Sequence, residues 1–173
     1  EITDVEIISI YMNYVLENES SPKSVYAFAK ASNFEESLFY NYFGSFESLE
    51  KAIFKAFFNN AMQALENSEE YPTFDSRNKL LSFYFTFFEN LTANRSYVVL
   101  SLKENRNMLK GLMQLSGLRN GFKDFVSSII SEEYRLKQER FQDIQEKALQ
   151  ESAWFQLLMT LKFWLDDTSA SSK

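Results

Sequence analysis

The absence of two residue types limits which side chains of this chain can do chemistry. Its 173 residues include no His and no Cys. That excludes Ser-His-Asp triads, imidazole metal clusters, thiolate zinc sites, cysteine nucleophiles and disulfides. Carboxylates are left as acids and bases, and beyond a loop-forming stretch holding Glu69 and Glu70 the adjacent pairs are Glu132-Glu133 and Asp166-Asp167. Sequence neighbours point to different faces of a helix, so neither pair is a metal clamp or an acid–base dyad, and both read as surface charge. Arg135, Lys137 and Arg140, between Tyr134 and Phe141, form a small basic cluster that reads as an exposed turn. No catalytic residue, metal or cofactor is expected, and recognition chemistry remains.

The elements that must position any recognition site are helical. Four Gly and two Pro are too few for a sheet-rich chain with frequent turns. Apolar residues recur at helical spacing over residues 2–16, where Val5, Ile8, Met12, Val15 and Leu16 share a stripe widened by Ile7, Ile10, Tyr11 and Tyr14. Short helices follow over 24–32 and 35–43, and Gly44-Ser45 then opens a long amphipathic helix ending near residue 67. Ser45 suits an N-cap, although Ser48 stands where a full capping box has Glu or Gln. Residues 68–76, with Pro72, form the expected domain boundary. Beyond it, helices are predicted over 75–91 (apolar face Leu80, Tyr84, Phe87, Phe88, Leu91), 97–102, 118–136 and 141–164. With 18 Phe and 9 Tyr, aromatic rings must fill much of the interior. No apolar run approaches the roughly 18 residues that span a bilayer, and no secretory leader is recognisable. A soluble protein of the cytoplasm, not an integral membrane protein, is expected.

The segment from Ser24 through Ala27-Phe28-Ala29-Lys30-Ala31-Ser32-Asn33 to Glu35, then Ser37-Leu38-Phe39-Tyr40-Asn41-Tyr42-Phe43-Gly44-Ser45-Phe46-Glu47-Ser48-Leu49, resembles the helix-turn-helix of TetR-family regulators. Phe28-Ala29 fall at the family's Ile-Ala pair, Asn33 at its turn glycine, and Tyr42-Phe43 at the aromatic pair closing the recognition helix. Asn suits the turn because it tolerates left-handed backbone. The resemblance implies an all-α, TetR-like fold: a three-helix helix-turn-helix module in residues 1–67, then a ligand-binding and dimerisation bundle in residues 68–173. Phe163 to Ser169 resembles a segment that precedes the last helix of some TetR-like proteins, which implies a further dimerisation helix beyond it.

On that resemblance the candidate DNA contacts are Lys23, Ser24, Lys30, Tyr40, Asn41, Tyr42 and Lys51, through ammonium, hydroxyl and amide groups on phosphates. Each is equally read as a solvated surface residue, except that Tyr40, like Phe43, is expected to close the small core. A ligand pocket would draw on Phe83, Tyr84, Phe87, Phe88, Tyr97, Met108, Met113, Phe122, Phe125, Ile129, Trp154 and Leu158. Most of these must also serve as core, and few charges fall among them, so an apolar or lipid-like ligand is expected. A homodimer seam would use Trp154, Phe155, Leu158, Leu161 and Leu165.

The chain departs from the family pattern where the pattern meets DNA. Phe46 replaces the phosphate-binding Lys, Leu38 replaces a Thr that touches the duplex, and the recognition helix begins with Glu35-Glu36. Residues 1–62 carry four basic groups (Lys23, Lys30, Lys51, Lys55) against nine acidic ones, a net charge of −5. Phosphate neutralisation supplies most non-specific affinity for DNA, so this module repels where a repressor attracts. Two readings stay open: a ligand-responsive, DNA-binding homodimer, or a TetR-fold protein that has lost DNA binding and binds an apolar ligand or a protein partner.

Overall fold

The computed structural model describes residues 2–104, 108–137 and 143–169. Its elements are α1 (Asp4–Asn18), α2 (Val25–Ala31), α3 (Glu36–Tyr42), α4 (Phe46–Glu66), a 3₁₀ turn at Tyr71–Thr73, α5 (Ser76–Ala93), α6 (Arg95–Glu104), α7 (Met108–Gln114), α8 (Ser116–Lys137) and α9 (Asp143–Asp166). Among the described residues there is no strand, so the all-α expectation holds. The chain packs as two compact units, Glu1–Phe54 with Asn94–Leu115 and Lys55–Ala93 with Ser116–Lys173. The boundary expected at residue 67 lies inside the second unit, because the apolar face of α4 runs on through Phe57, Phe58, Ala61 and Leu65.

Each helix start in the first unit follows from a short polar side chain. Thr3 caps α1 in a full capping box: its hydroxyl accepts from Glu6 N–H, and the Glu6 carboxylate accepts from Thr3 N–H at 2.7 Å. The hydroxyl of Ser24 caps α2 by accepting from Ala27 N–H at 3.1 Å. At α4, Ser48 does what Glu usually does: its Oγ accepts from Ser45 N–H at 3.1 Å while Ser45 Oγ accepts from Ser48 N–H at 3.2 Å. A two-serine box therefore satisfies two backbone donors that would otherwise be orphaned.

The buried line of α1 is Ile7, Tyr11 and Val15, whereas Val5 and Leu16, placed on the inner stripe by periodicity, are exposed. The helix is apolar over a wide arc, and the ring of Tyr11 fixes which part of it turns inward. Phe28 of α2 is the hub of this core. It meets Tyr11, Tyr14, Phe34, Phe39 and Phe46, with ring centroids 5.3 to 6.3 Å apart and mostly edge-to-face, the arrangement aromatic quadrupoles favour.

In the second unit α5 buries Lys79, Phe83, Phe87 and Leu91, a strict i, i+4 line. That line is displaced from the predicted face, on which Leu80, Tyr84 and Phe88 are only half-buried. Phe83 stacks on Phe87 at 5.3 Å and packs against Phe58, Phe122 and Phe125. Lys79 reaches Glu132 of α8 at 2.7 Å, so Glu132 is tied down and not simply surface charge. Ser76 Oγ donates to the Ile129 carbonyl nearby, which fastens the start of α5 to α8. The inner face of α9 is Trp154, Leu157, Leu161 and Trp164, a seven-residue rhythm suited to lying along α8.

Candidate functional site

Two surfaces hold the predicted recognition residues, one in each unit. In the first, α2 and α3 are joined by a turn whose Asn33 has φ of 58°, the left-handed conformation that a glycine usually supplies there. The Phe34 N–H reaches back to the Ala29 carbonyl at 3.0 Å, closing the α2 end and aiming the chain into α3. Of the adjacent aromatics on α3, Phe39 is wholly buried while Tyr40 is 53% exposed and Tyr42 43%. Tyr40 thus does not close the core, as its sequence position suggested: Phe39 and Phe43 do, and Tyr40 only lays its ring edge-on against Phe39.

Tyr40, Asn41 and Tyr42 consequently stand on the outer surface of α3. The Tyr42 hydroxyl donates to the Ile2 carbonyl at 3.3 Å, an exposed contact that tethers the start of the chain to α3. Lys23 and Lys30 are exposed and Lys51 is half-buried, while the hydroxyl of Ser24 is spent on the α2 cap. Lys30 Nζ lies 6.0 Å from the Tyr26 ring centroid. Those two residues, with Phe34, Glu35 and Glu36, line a depression of about 500 Å³ beside the turn. Glu35 is the N-cap residue of α3 without a side-chain cap bond, and Glu36 sits in its first turn. Carboxylates there suit the helix dipole but meet any approaching phosphate with like charge.

Phe46, standing where the family has its phosphate-binding Lys, packs 5.5 Å from Tyr11, 5.8 Å from Phe28 and 5.4 Å from Phe39. A phosphate contact has been exchanged for core area. Behind it, Tyr11 Oη donates to the Glu50 carboxylate at 2.6 Å, with Ser21 Oγ 3.4 Å away, so α1, the loop before α2 and α4 share one polar knot. Burial and the Glu50 charge push the Tyr11 phenol well above its ordinary pKa. Gln114 is buried and donates to Ser101, joining α7 to α6. Sequence periodicity did not indicate α7.

In the second unit the predicted pocket residues separate. Phe83, Phe87, Phe122, Phe125, Ile129 and Trp154 are packed core with little or no exposed surface. Tyr97 is buried and Met113 exposed, and both belong to the first unit; the side chain of Met108 lies outside the described residues, as do the Arg135, Lys137, Arg140 and Phe141 side chains. Tyr84 and Phe88 do line a cavity, a groove of about 530 Å³ between α5 and α9 completed by Leu81, Phe85, Phe163 and Trp164. Sequence reasoning missed those four. The signal was present, since Leu81, Tyr84, Phe85 and Phe88 repeat at i, i+3, i+4, i+7, but a helix apolar on every side does not declare which stripe is left over. On α9, Trp154 and Leu161 face inward and Leu158 and Leu165 are half-buried, whereas Phe155 is 64% exposed together with Met159 and Ile144.

A two-unit helical chain with a helix-turn-helix in one unit and an aromatic groove in the other defines the class of the TetR-type regulators. The family described as tetracyclin repressor-like, C-terminal domain, matches residues 79–173, more than half of the chain, and the protein belongs to the TetR family. No curated protein and no solved structure matches it. Among the described residues no helix is long and apolar enough to cross a membrane.

Proposed function

We propose that the protein is a one-component transcriptional regulator acting as a cytoplasmic homodimer, in which α3 meets operator DNA and the unit containing α5 and α9 takes an apolar ligand. The observation that carries this reading is the α2–turn–α3 geometry: a left-handed Asn33 at the turn and an α3 that buries Phe39 while leaving Tyr40, Asn41 and Tyr42 outward. Phosphate and base contacts by hydroxyl and amide groups position and specify without requiring net positive charge. Lys30 and Lys51 supply the ammonium contacts. The dimer seam is assigned to the outward stripe of α9, Phe155 with Ile144 and Met159, since Trp154 and Leu161 are committed to their own unit. A ligand acts by favouring one spacing of the two α3 helices over another.

Selection of bound duplexes from a random pool tests the reading. A two-half-site sequence should be enriched, and Tyr40→Ala or Asn41→Ala should abolish the enrichment. Two observations favour the second reading, a TetR-fold binder that has lost DNA recognition: carboxylates open α3, and Phe46 occupies the lysine position as a core residue. A pool that enriches nothing, from a protein that is folded and dimeric, establishes that reading instead.

A further inference from the structure

The groove between α5 and α9 is electrically lopsided. Along α5 it is walled by Leu81, Tyr84, Phe85 and Phe88 and then by Glu89 and Thr92; along α9 by Thr160, Phe163 and Trp164 and then by Asp167. The two helices run side by side in the same direction there. Trp164 Nε1 donates to Thr92 Oγ1 at 3.2 Å, and Thr160 accepts from the Tyr84 hydroxyl one turn earlier on both helices. Both C-termini, Ala93 of α5 and Asp166 of α9, therefore arrive at the Glu89 and Asp167 end. Neither helix has a basic residue in its last turn.

Helix C-termini carry partial negative charge from their unsatisfied carbonyls, and here two of them coincide with two carboxylates. No Lys or Arg lines the groove. The rest of it is aromatic: Tyr84 and Phe88 lie nearly parallel at 6.1 Å, Phe88 packs 6.3 Å from Trp164, and Phe85 and Phe163 stand up as rims, 67% and 73% exposed. Because the indole N–H and the Tyr84 hydroxyl are already bonded within the groove, the walls offer ring faces and not donors. Ring faces attract cations, and apolar walls take an alkyl or aryl body.

We propose that this groove binds an elongated lipophilic cation, with its ammonium or equivalent head at the Glu89 and Asp167 end and its apolar body between Phe85 and Phe163. This deepens the ligand part of the proposed function and rests on it only in taking this unit as the one that binds ligand. Where the sequence suggested a ligand without charge, the convergence of two helix ends, invisible in a sequence, adds a positive head.

Calorimetric titration of the full chain with dodecyltrimethylammonium and with dodecyl sulfate, both below their micelle concentrations, isolates the head because the tails are identical. The cation should bind on the order of tenfold more tightly, a preference that added salt erodes. Glu89→Gln should cut the preference several-fold while leaving the shared tail affinity in place. Thr160→Trp, which fills the groove, should remove binding of both probes, and with Trp154→Phe the remaining indole, Trp164, should report the cation by fluorescence. Equal affinity for the two probes overturns the proposal, as does a preference that survives Glu89→Gln, or binding that survives Thr160→Trp, which places the surfactant elsewhere. Probe binding that appears only after Phe163→Asp has dissociated a dimer also overturns it, since a second copy then fills the groove. The titration contains no DNA, so a failed operator search leaves it standing and a failed titration leaves operator binding standing.

Discussion

Gly121 lies in α8 with the ring of Phe58 directly over it. A Cβ built there would stand 2.9 Å from both Phe58 Cδ1 and Cε1 and 3.4 Å from Cζ. Phe58 is itself buried and packed 5.5 Å from Phe83, so its ring can move only by disturbing the core of that unit. Gly121→Ala sets two opposed terms against each other. Helix propensity favours Ala by about 1 kcal/mol, while overpacking costs about 1–3 kcal/mol. The net expectation is a loss of roughly 0–2 kcal/mol. In a Phe58→Leu background the clash is gone, and the same change should stabilise by about 1 kcal/mol. The sign therefore reverses, with a coupling of about 1–3 kcal/mol. Both tryptophans, Trp154 and Trp164, lie in this unit, so urea unfolding followed by tryptophan fluorescence reads it selectively. Gly111→Ala, with no atom within 4 Å of its Cβ, should only stabilise, as followed by circular dichroism. If Gly121→Ala stabilises the unaltered chain, or has the same effect in both backgrounds, the argument for a close α4–α8 approach is wrong.

Tyr11→Phe removes a hydrogen bond to the Glu50 carboxylate and should cost on the order of 1.5 kcal/mol in urea unfolding with an unchanged m-value. Burial pushes the Tyr84 phenol up to about 12. A folded pKa above the unfolded one means stability that is complete below the ordinary tyrosine range and lost as pH rises from about 10 towards 12. Tyr84→Phe should flatten that alkaline loss, measured by melts across the same pH range. Phe155→Asp should turn a dimer into a 20.3 kDa monomer by light scattering without altering the helical spectrum, and an unchanged dimer would move the seam away from the outer stripe of α9.

Helical periodicity was enough to locate most helices to within a few residues, because turn formers are scarce and each long segment buries a stripe. The left-handed turn at Asn33 was legible for the same reason, since few residue types tolerate it. What failed was the choice of face. On α1 and α5 the apolar arc is wide, so Ile7 rather than Val5, and Phe83 rather than Tyr84, turned inward for reasons of packing that periodicity does not contain. Tyr40 and Phe39 are neighbours on a helix of seven residues, too short for a moment to separate them. Lys79 was missed because a buried lysine depends on Glu132, 53 residues away. The groove between α5 and α9 was half legible: its aromatic residues could be counted, but the meeting of two helix ends beside Glu89 is tertiary geometry.

The central claim is that this TetR-family module does not gain its DNA affinity from counterion release, because carboxylates stand at the start of α3 and Phe46 fills the lysine position. Fluorescence anisotropy with a random duplex, across about 50 to 200 mM salt, tests it most directly. The unaltered protein should bind very weakly, with a log–log salt slope no steeper than about −3 per head, the limit set by Lys23, Lys30 and Lys51. Glu35→Lys with Glu36→Lys should tighten binding and steepen that slope by up to about 2 per head. Tight binding of random duplex by the unaltered protein, with a slope typical of six or more neutralised phosphates per head, would contradict the account.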